Sequence, residues 1–107
     1  MDFQYIKQYI AALPEVARAH QDKIRGRDGI VKLVLGEAGT HLITLRDGLV
    51  ATEEGDGPAD VTVRMSPQDF IKLTNGTLNV VPAVALGRIK FEGDMGLLVQ
   101  LRSAFGA

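Results

Sequence analysis

Apolar residues recur at alternating spacings of three and four from Phe3 through Ile6, Ile10, Leu13, Ala17 and Ile24, with His20 in the same row. That spacing lays them along one stripe of a helix. Pro14 interrupts the stripe and disfavours helix at Leu13, so a kink or two short helices meeting there is expected. Gly26 and Gly29 end the segment, with Arg25, Arg27 and Asp28 exposed between them. The pattern then changes to strands. Residues 30–36 are rich in β-branched side chains and leucine, and 40–46 alternate in part, with Glu37-Ala38-Gly39 as the connecting hairpin. Asp47-Gly48 is a strong hairpin turn because both residues tolerate positive φ. It leads into a third strand over 49–53 and completes an antiparallel meander.

A Gly/Pro turn separates the meander from a fourth strand over 60–65, with Val61, Val63 and Met65 on one face and Thr62 and Arg64 on the other. Ser66-Pro67-Gln68-Asp69 starts a helix. Ser66 can accept from the amide of Asp69, Pro67 sits where a missing donor is harmless, and Asp69 can reach back to Ser66. Asn75-Gly76 stops it. Asn79 can cap a second short helix, Val80 to Leu86, which is apolar all round apart from Pro82 and ends at Gly87. A helix without a polar face is covered on every side or touches something besides the core. A fifth strand places Ile89 and Phe91 opposite Arg88, Lys90 and Glu92, and a last helix runs from Met95 to Phe105. Grouped strands followed by clustered helices predict an α+β fold, one sheet with helices on one face. The 107 residues suit a single domain, 1–107.

Charge changes this picture little. Twelve basic and thirteen acidic side chains give a net charge of −1, without general attraction to nucleic acid. The distribution is uneven: five basic and three acidic over 1–27 (+2), two and seven over 28–60 (−5), five and three over 61–107 (+2). Glu53, Glu54, Asp56 and Asp60 crowd the Gly/Pro turn. They read as a solvated turn, since the alternating ligands and closing Glu of a calcium loop are absent. Met1 to Tyr9 carry Asp2 and Lys7 and so lack the apolar heart of a signal peptide. The chain ends Phe105-Gly106-Ala107, unlike a peroxisomal address, so a cytoplasmic protein is expected.

Catalytic groupings are sparse. With no cysteine, thiol catalysis, disulfides and thiolate metal sites are excluded. His20 and His41 read as structural, Ser66 as a cap, and neither Ser66 nor Ser103 sits in a nucleophile elbow. Neither a phosphate loop nor a dinucleotide turn occurs. No catalytic residue, metal or cofactor is expected. The positive signal is apolar: from Phe70 to Phe105 there are more large apolar side chains than one sheet face and two short helices readily pack. Periodicity alone ranks a larger core first, with a dimer face and a ligand cavity as the other outcomes.

Several stretches match a known family. Ala59-Asp60-Val61-Thr62-Val63-Arg64-Met65-Ser66-Pro67-Gln68-Asp69-Phe70 resembles the "D-A-T-(I/V)-T-M-S-x-x-D-(F/L)" stretch of the sterol carrier protein type 2 domain family. Asn75-Gly76-Thr77-Leu78-Asn79 is similar to its "G-K-L-(N/D)-P". Residues 83–96, with Gly87-Arg88-Ile89-Lys90-Phe91 and Gly93-Asp94-Met95-Gly96, resemble its "A-F-M-x-G-(K/R)-L-K-(I/V)-x-G-(N/D)-M". Leu45 to Val50 resembles its "(I/L)-x-D-G-x-(V/A)" hairpin, and Leu13-Pro14-Glu15 its "L-P-E". The likeness is specific over 59–96 and loose over 1–40. It departs at Pro82, three positions later than the family's proline, at Val84, where a bulky aromatic is common, and at Leu86, where a polar residue is common.

The resemblance implies a five-stranded sheet, an antiparallel meander plus two strands after a crossover, with helices on one face. It also implies non-catalytic binding, with intracellular transfer, of a fatty acid, acyl-CoA, sterol or isoprenoid in an apolar tunnel between sheet and helices. The expected lining is Met65, Phe70, Leu73, Leu78, Val81, Val84, Leu86, Phe91, Met95, Leu98 and Leu101, with Phe70, Leu98 and Leu101 as a lid. The departures suggest a roomier, drier tunnel mouth. The alternative is an accessory subunit presenting lipid or quinone intermediates to enzymes. In that case the Val80–Leu86 helix docks a partner enzyme or a second copy. Transient membrane contact fits either reading.

Overall fold

The computed structural model describes residues 3–24, 26 and 28–105. Arg25 and Arg27, expected to be exposed, lie outside the described residues, as do Gly106 and Ala107 and the side chains of Ile24 and Phe105. Ile6, Ile10, Leu13 and Ala17 form the buried stripe of a continuous helix, α1 (Phe3–Arg18). Pro14 does not divide it into the two short helices that were one of the expected outcomes. Proline removes one hydrogen bond from the helix, but buried residues stand on both sides of it, and seating the whole stripe outweighs that loss. The break falls at Ala19 and His20, whose amides bond the carbonyls of Val16 and Ala17 three residues back, at 3.2 and 3.0 Å. A single turn, α2 (Gln21–Ile24), follows.

The sheet order is β3-β2-β1-β4-β5. The strands are β1 (Gly29–Val34), β2 (Thr40–Arg46), β3 (Leu49–Glu54), β4 (Val61–Arg64) and β5 (Lys90–Gly93). β1–β2–β3 is the antiparallel meander, β4 pairs parallel with β1, and β5 returns antiparallel on β4. A 3-10 turn over Gly36–Ala38 links β1 to β2. Asp47 (φ 53°) and Gly48 (φ 78°) form the second hairpin in the left-handed region that their residue types favour.

Three helices follow β4: α3 (Pro67–Thr74), α4 (Val80–Ala85) and α5 (Met95–Phe105). One sheet face carries Val31, Leu33, Ile43, Leu45, Val50, Val61 and Val63, all buried with Ile6, Ile10, Leu97 and Leu101 from the helices above. α1 packs on β3, α5 on β1 and β4, and α3 on α1. The other face is wetter. There the turn after β3 folds back, so that Lys32 Nζ meets Asp56 Oδ1 at 2.8 Å and Gly57 lies against Leu42. The acidic turn is thus structural at two carboxylates, because Asp60 Oδ2 also accepts the Ile30 amide at 2.7 Å. Gly93 (φ 110°) closes the β4–β5 edge, and a Cβ there would lie 2.3 Å from the carbonyl oxygen of Asp60.

Candidate ligand-binding site

The region between α3 and α5 holds the candidate site. Its first part is firmly set. Ser66 Oγ accepts the Asp69 amide at 3.1 Å and Pro67 occupies the first turn, as that residue pattern dictates. Phe70 is buried and meets the ring of Tyr9 edge-on at 5.7 Å, and Tyr5 Oη lies 2.9 Å from Thr74 Oγ1, so α3 is fastened to α1. Tyr9, stacked on Tyr5 at 6.3 Å, has its pKa raised by burial and secondarily by Tyr5.

Asp69 does not reach back to Ser66. It is 4% exposed and takes the Arg88 guanidinium in a two-pronged ion pair, Nε to Oδ2 at 3.2 Å and Nη2 to Oδ1. A fixed fork on a planar carboxylate is the geometry Arg supplies best. The pair spans 19 residues and ties the start of α3 to the chain leaving α4.

α4 is attached lightly. Asn79 precedes it without a side-chain cap bond, and Ala83 is its buried residue. The Ala83 carbonyl accepts the amides of Arg88 (2.8 Å) and Ile89 (3.4 Å), and Ile89 is buried beside it. Outside that anchor the helix presents apolar side chains to solvent: Val81 is 79% and Leu86 76% exposed, with Val80 and Val84 also exposed. No extensive packing joins α4 to α5 or to another element among the described residues. Phe91, opposite Val63 on the edge strand, is 37% exposed, and Met95 and Val99 on α5 are exposed too.

The eleven expected lining residues therefore divide. Met65, Phe70 and Leu101 are buried in the core, and Leu73, Leu78 and Leu98 are half-buried against it. Val81, Val84, Leu86, Phe91 and Met95 are exposed along α4, β5 and α5. Val80 and Val99 belong to this exposed set but were not among the expected lining residues, although Val80 was expected to start the apolar docking helix.

Two clefts border the same edge. One, of about 350 Å³, is lined by Thr62, Arg64, Lys90, Phe91 and Glu92. The other, of about 290 Å³, is lined by Val34, Gly36, Arg64, Met65, Ser66, Gly87, Arg88 and Lys90. Met65 and Phe91 are the expected lining residues that reach them. The polar contributors escaped the sequence reading because strands far apart in the chain bring them together.

Chemically the region is suited to holding apolar matter. His41 is buried with Nε2 3.0 Å from the Ala38 carbonyl, and Ser66 is engaged as a cap. Among the described residues no group of three or more His, Cys, Asp or Glu could hold a metal, and no helix is long and apolar enough to cross a membrane.

Comparison with known proteins agrees with this architecture. The hydroxysteroid dehydrogenase-like protein 2 of Xenopus tropicalis is 32% identical over 91 residues, which cover 81% of this chain and 22% of that protein. The chain thus spans about a fifth of that relative's length. Among solved structures, palmitated SCP2L2 from Aedes aegypti superposes with a TM-score of 0.67 at 22% identity, covering 100% of this chain and 95% of that one. The inverting sec-alkylsulfatase Pisa1 from Pseudomonas sp. gives 0.69 at 24% identity, covering 81% of this chain and 14% of that enzyme. Residues 6–106 match the family model described as SCP-2 sterol transfer family. With that match over nearly its whole length and the same five-stranded fold in its structural neighbours, the chain belongs to the SCP-2 sterol transfer family.

Proposed function

We propose that this domain binds one long-chain lipid without catalysing a reaction on it, seating the apolar part between α4, β5 and α5. The observation that carries this reading is α4 itself: an apolar helix anchored through Ala83, lightly packed elsewhere and largely exposed, as are Phe91 on β5 and Met95 on α5. Such a helix can move outward from its anchor and close over a ligand, covering side chains that are now in water. Burying roughly 300 Å² of acyl surface contributes about 7 kcal/mol before the entropy of binding is subtracted. Palmitate on the structurally similar mosquito protein supports a fatty acyl ligand. The eleven residues then act in two groups, Met65, Phe70, Leu73, Leu78, Leu98 and Leu101 as the floor and Val81, Val84, Leu86, Phe91 and Met95 as the closing surface; this replaces the lid expected of Phe70, Leu98 and Leu101, of which two are buried and Leu98 is half-buried.

Native mass spectrometry of gently purified protein, followed by titration with a fluorescent fatty acid, tests this. Co-purified lipid or saturable one-to-one uptake is expected. Protein that carries no extractable lipid and takes up no probe overturns the reading.

The exposure of Val81, 79%, favours a second role for α4 as a docking face through which lipid is presented to a partner enzyme. Val81→Asp separates the two. Loss of uptake assigns the helix to the ligand, whereas intact uptake with loss of self-association or partner binding assigns it to docking.

A further inference from the structure

The outer rim of the β4–β5 edge carries a second chemistry, distinct from the apolar surface. Arg64 and Lys90 are direct ladder partners across β4 and β5, so two cations stand opposite each other on one face. Like charges in that position repel, and the arrangement is unfavourable unless something negative lies between them. Among the described residues neither forms an ion pair. Arg64 is within electrostatic reach of Asp56, but that carboxylate is already held by Lys32 at 2.8 Å. Glu92 borders the neighbouring cleft without pairing with either cation.

The 290 Å³ cleft beside them adds two more donors. Arg88 lines it, and one N–H each of Nε and Nη2 is spent on Asp69, which leaves three N–H bonds, two on Nη1 and one on Nη2. Ser66 lines it too. Its Oγ accepts the Asp69 amide, while its own proton goes to no acceptor among the described residues. Asp69, the nearby carboxylate that could neutralise the site, is buried and occupied by Arg88. Two unpaired cations, the Asp69-paired Arg88 and a hydroxyl donor thus meet at a cleft whose lining, among the described residues, includes no carboxylate, in a chain whose net charge is −1.

We propose that this cleft is a binding site for a phosphate-type oxyanion, a phosphate or diphosphate group, held by Arg64, Lys90, Arg88 and the Ser66 hydroxyl. Guanidinium and hydroxyl donors match the several acceptor oxygens of such a group, and a doubly charged anion relieves the repulsion across the ladder. Gly87, at the cleft wall, follows exposed Leu86 directly, so an apolar chain attached to the anion would meet α4. The anion site stands on its own geometry. Its extension to a phosphate-headed lipid rests on the lipid-binding reading.

The full chain is titrated with inorganic pyrophosphate and observed by amide chemical shifts, then with dodecyl phosphate and dodecanol below their micelle concentrations. Pyrophosphate is expected to shift the amides of Ser66, Arg64, Arg88 and Lys90 saturably. Dodecyl phosphate is expected to bind at least roughly tenfold more tightly than dodecanol, the scale of one or two charge-assisted hydrogen bonds. The exposed double variant Arg64→Gln, Lys90→Gln is expected to abolish both effects with a melting temperature that is not lowered, since it also removes the repulsion across the ladder. Absent pyrophosphate shifts, shifts that survive in the double variant, or equal measurable affinity for the two amphiphiles would overturn the proposal. Pyrophosphate shifts with no binding of either amphiphile support the anion site and sink the lipid reading instead. Capture by phosphatidylglycerol vesicles without any response to pyrophosphate assigns these charges to a membrane surface, and also overturns the cleft.

Discussion

Arg88→Ala is predicted to destabilise the domain more than Asp69→Ala, although the two changes break the same ion pair. The asymmetry follows from exposure. Asp69 is 4% exposed, whereas the Arg88 side chain is 47% exposed. Removing the carboxylate releases a guanidinium that can turn into water. Removing the guanidinium strands a carboxylate that cannot. Breaking a fully buried pair costs about 3–5 kcal/mol, and the half-exposed Arg88 brings Arg88→Ala to the lower end, about 3 kcal/mol. Asp69→Ala loses the pair and a favourable charge in the first turn of α3, and about 1–2 kcal/mol is expected. Urea unfolding of both variants measures the difference, and an unchanged m-value shows that stability changed without a change in the surface exposed on unfolding. Native-state hydrogen exchange adds a local readout. The amides of Arg88 and Ile89, bonded to Ala83, are expected to exchange faster in Arg88→Ala, because the pair is what keeps α4's exit in register. Equal losses in the two variants, or a larger loss for Asp69→Ala, would refute the reasoning.

Three further outcomes are predicted. Gly93→Ala is expected to lose about 3 kcal/mol or more in denaturant unfolding, since the new Cβ would lie 2.3 Å from a backbone oxygen at a φ of 110°; a loss under about 1 kcal/mol contradicts the contact. The Asp56 carboxyl is held below its ordinary value of 3.8, first by the hydrogen bond from Lys32 and then by the Gly57 amide. Its contribution is therefore present above that value and lost as pH falls through the lower folded value, so thermal melts of wild type and Asp56→Asn should converge in acid and separate near neutrality; a constant gap would refute it. Tyr9 is shifted the other way, upward from 10.0 by burial first and Tyr5 second, so its contribution is complete below 10.0 and disappears as pH rises through the folded value. Tyr9→Phe should lose less stability than wild type over that alkaline range, and identical alkaline profiles would contradict the assignment.

The local features of the fold were legible in the residues. β2 spans Thr40–Arg46 as its alternation predicts, Asp47-Gly48 adopts the left-handed turn, and Ser66-Pro67 starts α3 through the expected amide. Each depends on side chains within a few positions. Pro14 does not split α1 in two because the local penalty is outweighed by the tertiary gain from burying Leu13 and Ala17 on either side of it. Asp69 misled because its partner lies 19 residues away, and no local spacing announces it. The candidate site was half legible. An apolar helix without a polar face pointed to α4, but whether each side chain faces the core or water depends on where the helix docks. The cation pair Arg64–Lys90 became visible only through the register of β4 against β5.

The parallel pairing of β1 with β4 has a consequence for how the molecule comes into being. β1 lies at the centre of the sheet, yet its second neighbour is made only after the whole meander and the acidic turn. A growing polypeptide emerging from the ribosome therefore presents a finished three-stranded ribbon with an unpaired inner margin. That margin holds Val31 and Leu33, side chains bound for the interior, beside a row of unsatisfied amides and carbonyls. Closing it pairs residues as distant in the chain as Val31 and Val61, which makes this step slow compared with the hairpins. Until then the nascent ribbon is sticky along the very line that later becomes its middle.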